Sequence, residues 1–242
     1  GLRVGGVDNI DVILNDNRQN TGVVTDGGVI FQGETLSDAD ITDNLGSTET
    51  VEELATDGGD VPLVIDGNEV PQDQPTGVYT GDNTLTVRTP KVSDLEVNNA
   101  QGQDVAGGSL LIDESATVKA VFNYADAEDL TIAVENEEGT TVTSEWFDTT
   151  SVDASNVTSA TGVSSSFDVD FPATTEGTVE WAIDSATLQN AGTGTYTITV
   201  EGETSLDFGE ATRSVTIDII DDEDEAISLD ETEVTKGEEV RY

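Results

Sequence analysis

The chain has 242 residues, 51 Asp plus Glu against 8 Lys plus Arg, a formal net charge of −43, and no Cys, His or Met. The absences exclude disulfides, Cys/His zinc sites and histidine-dependent nucleophilic catalysis. The charge excludes nucleic acid as a partner, because phosphate binding needs basic patches. A soluble domain usually carries a net charge of magnitude about 2–8. At −43, self-repulsion opposes folding in dilute buffer, whereas near 1 M salt the Debye length falls to about 3 Å and the repulsion is screened. A disordered acidic tail would carry similar charge, but here 35% of the residues are hydrophobic and arrive in patterned runs. A folded protein suited to high salt is therefore expected. No apolar run approaches the roughly 18–20 residues of a membrane-spanning helix, and no signal peptide opens the sequence. Membrane contact is expected only through an anchor outside this chain.

In chain order the dominant period is two. Residues 37–54 could form a short helix, although Ile41-Thr42-Asp43-Asn44 makes a poor helical stretch. Residues 61–66, 84–88, 117–124, 130–134, 179–184, 195–200 and 213–219 are rich in Val, Ile, Thr and Tyr. Most of them alternate apolar with polar residues, placing one face in a core and the other in water. Turn-rich clusters such as 98–102 and Glu137-Glu138-Gly139 separate them. Short strands with turns at this spacing predict a β-sandwich.

Two stretches repeat. VPLVIDGNEVPQDQPTGVYT begins at Val61 and VEWAIDSATLQNAGTGTYT at Val179, an offset of 118 residues. Both contain Val-x-x-x-Ile-Asp and then Thr-Gly-x-Tyr-Thr. An immunoglobulin-like sandwich has a strand, a corner and a strand entered through such a Tyr, whose hydroxyl caps backbone upstream. Tyr79 and Tyr196 are the candidate corner residues, with 61–66 and 179–184 as the preceding strands. The expected fold is all-β, with tandem immunoglobulin-like β-sandwich domains lacking disulfides: domain 1 over 1–88 and domain 2 over 89–220. An acidic linker and the first strands of a truncated third domain are expected over 221–242. Trp181, Phe122, Phe167 and Phe171 are expected in the second core. The turn Lys236-Gly237-Glu238 echoes Gln32-Gly33-Glu34, and a strand cut at Tyr242 suggests a longer protein of serial sandwiches.

Four collinear stretches carry a resemblance: Val29-Ile30-Phe31-Gln32-Gly33-Glu34, TPKVSDLEVNN from Thr89, NYADAEDLTIAVENEEG from Asn123 and LDFGEATRSVTIDI from Leu206. Together they resemble the N-terminal part of the haloarchaeal S-layer glycoproteins, in order from about Val29 to Tyr242. The resemblance implies a secreted, glycosylated surface protein of serial immunoglobulin-like domains that self-associates into a two-dimensional lattice. It also implies calcium binding, and attachment through a C-terminal anchor after a Thr-rich spacer; the spacer and the anchor are expected outside this sequence.

Few residues stand out for chemistry. Asn156-Val157-Thr158 is the single N-glycosylation triplet, and the resemblance makes Asn156 the candidate for a covalent glycan. Calcium takes six to eight oxygen ligands, and the densest supply is the run containing Asp221, Asp222 and Asp224, where an ion would stiffen the junction to the next domain. Without an ion the same run is a solvated acidic linker. Asp8 with Asp11, and Asp126 with Glu128 and Asp129, are lesser candidates. No pair of carboxylates is marked out for glycoside chemistry by aromatic platforms, so no enzyme is expected. A lattice protein is favoured over the alternative, a cell-surface adhesin or ligand-binding protein of stacked sandwiches.

Overall fold

A computed structural model describes residues 10–12, 24–36, 54–56, 59, 61–66, 68–147 and 177–221. The strands are β1 (Ile10–Val12), β2 (Val29–Phe31), β3 (Ala55–Thr56), β4 (Gly77–Thr80), β5 (Thr84–Arg88), β6 (Val92–Asn99), β7 (Ser109–Leu111), β8 (Ala116–Phe122), β9 (Leu130–Asn136), β10 (Gly177–Ile183), β11 (Gly194–Gly202) and β12 (Arg213–Ile220). Helix α1 (Thr143–Trp146) follows β9, and α2 (Ser185–Ala191) joins β10 to β11.

The second unit is a sandwich of two sheets. One has the order β10-β8-β6 and the other β1-β9-β11-β12-β7. Strict alternation builds the layer between them: Ala116, Val118, Ala120 and Phe122 from β8 are buried while the residues between them are partly exposed. Opposite them, Tyr196, Ile198 and Val200 of β11 turn inward, and Trp181 of β10 and Trp146 of α1 complete a single cluster. Such alternation is the pattern of sheets with one dry face and one wet face. Trp181 and Phe122 lie in this core as expected, while Phe167 and Phe171 lie outside the described residues.

The first unit shows a four-stranded sheet in the order β2-β5-β4-β3. It repeats the β7-β12-β11-β9 portion of the second unit strand for strand. In each, the first pair is parallel (β2 with β5, β7 with β12) and the next two pairs are antiparallel. The glycine of Thr-Gly-x-Tyr-Thr opens the equivalent strand in both copies, and Gly77 and Gly194 share a φ of 148°. No L side chain adopts that φ without strain. No atom lies within 4 Å of a Cβ built on Gly77, so conformation rather than space demands glycine there. A second repeated device, Gly-Gly, was not read from the sequence. Gly27 donates to the Thr84 carbonyl and Gly28 to that of Thr25, just as Gly107 donates to Thr216 and Gly108 to Val105.

Three features differ from expectation. Residues 61–66 do not form a strand; they make only isolated bridges, Pro62 to Ala55 and Asp66 to Glu69. Pro62 has no N–H for a ladder, and the Gln74 carboxamide takes the place of a neighbouring strand by accepting from Val64 N (3.3 Å) and donating to the Pro62 carbonyl (2.9 Å). The corner before β11 contains a helix, α2, whose N-cap Asp184 accepts from Thr187 N at 2.7 Å. Strand β1 is hydrogen-bonded to β9, Ile10 opposite Ile132, so a division at residue 88 leaves it on the far side from its sheet. The candidate helix over 37–54 lies outside the described residues except for Leu54, which is buried in the first core.

The glycine geometry sets an order of mutational effects. Tyr196→Phe removes a hydroxyl that bonds two carbonyls and should cost about 1 kcal/mol. Gly194→Ala forces a side chain into a forbidden φ and should cost about 1–3 kcal/mol. Thermal unfolding in molar KCl should rank wild type above Tyr196→Phe above Gly194→Ala; an unaffected Gly194→Ala would contradict the strain argument.

Candidate functional site: the junction between the two units

Strand β2 is only three residues long, yet it is buried on both faces. Ile30 belongs to the first core, whereas Val29 and Phe31 belong to the second. The Phe31 ring meets Tyr124 edge-on, with centroids 6.5 Å apart, and Tyr124 in turn lies 5.2 Å from Phe122. The Tyr124 hydroxyl donates to the Ala211 carbonyl at 2.9 Å. Burial, reinforced by the Glu128 and Glu201 carboxylates, pushes this phenol far up, so it remains a donor.

The turn after β2 locks the same contact from the other side. Gly33, at φ 80°, leaves room for the Phe208 ring, which any Cβ there would overlap. Buried Glu34 accepts from Phe31 N at 2.8 Å. Gln32 donates through its backbone to the Arg88 carbonyl (3.0 Å) and through its side chain to the Gln74 carbonyl (2.6 Å). Thr35 N reaches across to Ser205 Oγ at 3.2 Å.

Ser205 leads to a buried carboxylate. Glu128 is 3% exposed and accepts from Leu206 N (2.8 Å), Ser205 N (3.0 Å), Thr204 N (3.3 Å) and Ser205 Oγ (2.7 Å). Gly202 is required beside it, since a Cβ there would overlap the carboxylate. Burial pushes the Glu128 carboxyl up from its ordinary value against the pull of these four donors. On the adjoining surface Arg213 donates to the Ser93 carbonyl (2.6 Å), Lys91 lies 3.5 Å from Glu210, and Lys119 lies 3.1 Å from Glu96. Hydrogen bonds from Asn98 and Lys119 hold Glu96 below the usual carboxylate range. These pairs are partly exposed and contribute little to stability by themselves.

The corner tyrosines sit apart from the junction. Tyr196 Oη donates to the carbonyls of Ala191 (2.8 Å) and Gly192 (3.1 Å), and its ring packs 4.9 Å from Trp146. Tyr79 Oη donates to the Pro75 carbonyl (2.6 Å) and accepts from Gln74 Nε2 (2.8 Å). Both are packing and capping groups within their own units.

No family model matches the chain. Known proteins do. It is 37% identical over 238 residues to the "Cell surface glycoprotein" of Haloarcula marismortui, covering 93% of this chain and 26% of that protein. The protein of the same name in Haloarcula japonica is 37% identical over 94% of the chain and 27% of its own length. That of Halobacterium salinarum is 34% identical over 91% and 25%. The chain belongs with the cell surface glycoproteins of haloarchaea. It spans about a quarter of the length of the curated relatives it matches. The relationship places it outside the cell, at the cell surface.

The four stretches that carry the resemblance to these cell surface glycoproteins converge on the junction. The first supplies Phe31, Gly33 and Glu34; the second holds Lys91 and Ser93; the third contributes Tyr124 and Glu128; the fourth provides Leu206, Phe208, Ala211 and Arg213. Asn156, Asp222, Asp224 and Asp8 lie outside the described residues, and Asp221 ends the described chain just beyond β12. Glu128 is committed to its backbone nest, so Asp126, Glu128 and Asp129 do not form a cation site. Among the described residues no group of three or more Asp or Glu could hold a metal ion. The nest itself left little trace in the sequence, because three of its four donors are peptide N–H groups.

The raised Glu128 value gives a signed prediction. A carboxyl whose folded pKa exceeds its unfolded one contributes stability below the unfolded value, about 4.3 for Glu, that is lost as pH rises through the folded value. Wild type should therefore lose stability relative to non-titrating Glu128→Gln as pH rises from about 4 to 7. Melting curves of the two proteins in molar KCl check this; wild type gaining stability relative to Glu128→Gln as pH rises would reverse the assignment.

Proposed function

We propose that the chain is part of a structural S-layer glycoprotein, tiling the surface of a halophilic archaeon as a two-dimensional lattice through self-association. The observation that carries the reading is the collinear relationship to haloarchaeal cell surface glycoproteins over more than nine-tenths of the chain. The architecture supports it. A lattice element must hold its shape under load, and strand β2 contributes buried side chains to the hydrophobic cores of both units. The charge supports it as well, since −43 on 242 residues suits a surface bathed in brine.

In this reading the protein is secreted and does no catalysis. Its most buried carboxylate with a raised pKa and its corner tyrosines are spent on backbone partners rather than left for substrate. Asn156 carries a glycan. Calcium neutralises the acidic run containing Asp221, Asp222 and Asp224, where like charges otherwise push successive domains apart. Attachment to the membrane belongs to parts of the protein beyond this segment.

Electron microscopy of the purified full-length protein in molar salt tests the reading. With calcium it should form periodic sheets, and chelation should disperse them. A protein that stays monomeric under those conditions while capturing a ligand from another cell would instead be an adhesin.

A further inference from the structure

A cleft of about 350 Å³ opens at one end of the β10-β8-β6 sheet, away from the junction. Its polar lining comes from Asn98 and Asn99 of β6, Thr117 of β8, Glu180 of β10 and Ser115, which precedes β8, with the turn after β6 as a wall; Asn99 Oδ1 already accepts from Gln101 N and Gln103 N within that turn. The inward residues Val97, Val118, Val179 and Trp181 alternate with these, so Asn98, Thr117 and Glu180 stand on the outer face. The register places them together, with Asn98 opposite Thr117 and Glu180 opposite Lys119, two residues along.

The lining is largely uncommitted. Some outer-face hydroxyls pair within the protein: Thr195 with Asp218 (2.6 Å), Thr199 with Ser214 (2.8 Å), Ser93 with the Val121 carbonyl (3.1 Å). Among the described residues, the side chains of Ser115, Thr117 and Glu180 make no such bond. Asn98 uses its amide nitrogen on Glu96, which leaves its carbonyl oxygen available. The Glu180 carboxylate and the Asn98 carbonyl oxygen thus offer acceptors to the cavity, and the two hydroxyls both donate and accept.

That set selects a ligand class. No aromatic or branched aliphatic side chain lines the cleft, so an apolar ligand gains nothing. Glu180 repels anions, and the nearest cation, Lys119, is held by Glu96. A single carboxylate falls short of the ligand set that a divalent ion takes. What remains is a neutral polyhydroxylated molecule, whose adjacent hydroxyls match acceptors and hydroxyls together. The volume lies at the small end of the roughly 300–1,000 Å³ typical of ligand pockets, the size for one sugar ring. Hydrogen bonds to a neutral ligand also survive in brine, where charge-based recognition beyond about 3 Å is screened.

We propose that this cleft is a subsite for one hexose ring of a neutral glycan. The source of that glycan rests on the glycoprotein reading above; binding of free sugar does not, and can be measured whatever the lattice experiment shows. Methyl α-glucoside and methyl α-galactoside are titrated into the isotope-labelled chain in molar KCl, to about 100 mM, well above a millimolar Kd. Amide shifts should be confined to residues 98–102, 115–117 and 180, with a Kd unchanged between about 1 and 3 M salt, because neutral hydrogen bonding is not screened. Glu180→Gln and Thr117→Val should each weaken binding about tenfold without altering the circular dichroism. Weaker binding by the glycosylated chain than by Asn156→Gln would make its own glycan the occupant, and equal binding would assign the cleft to a sugar from another molecule. No shifts with either glycoside, the same shifts with calcium alone, or binding indifferent to both cleft variants would overturn the proposal.

Discussion

Strand β2 carries side chains into two cores at once, and the rest of the structure depends on that division. A strand sends successive side chains to opposite faces, so Ile30 enters the first core and Phe31 the second. The two cores are thereby joined through one short strand, with Val29 and Phe31 on one side and Ile30 on the other. Burying a residue the size of Phe or Ile contributes about 1.5–3 kcal/mol, comparable to a sizeable share of a domain's total stability. The Gly33–Phe208 approach and the Thr35–Ser205 hydrogen bond add contacts across the junction, while Gln32 ties the turn to its own unit through Arg88 and Gln74.

High charge constrains how such a junction can be built. With 8 basic residues in the chain, buried carboxylates cannot generally be matched with Lys or Arg. Backbone amides do that work. Glu34 takes Phe31 N and Glu128 takes three consecutive amides, while at the surface Asp104 takes those of Val97 and Ala106 and Asp26 takes Thr84 N. A short bond of this kind is less exposed to screening than a surface ion pair. Acidic side chains therefore serve as internal caps as well as a hydrated surface.

The period-two strands of the second unit were legible because each has one wet face and one dry face, as in β8 and β11. The glycine and tyrosine of Thr-Gly-x-Tyr-Thr were legible because a positive φ and a capping hydroxyl each demand a residue type. Strand β2 leaves no strand signal of its own, since three residues buried on both faces show no alternation. Strand β1 pairs with a strand some 120 residues away, which local pattern cannot reveal. Residues 61–66 misled because Val-x-x-x-Ile-Asp repeats the spacing of β10 while Pro62 and Gln74 change its hydrogen bonding. Helix α2 did leave a signal, Asp184 at its start and Gly192 at its end, overshadowed by the strands on either side.

The central claim is that the two units unfold as one body because β2 serves both cores. Differential scanning calorimetry of the chain in molar KCl tests it directly. A single cooperative transition is predicted for wild type, resolving into two when Phe31→Ala removes about 3–5 kcal/mol from the second core. Two separate transitions in the wild-type chain, with Phe31→Ala shifting only one of them, would contradict it.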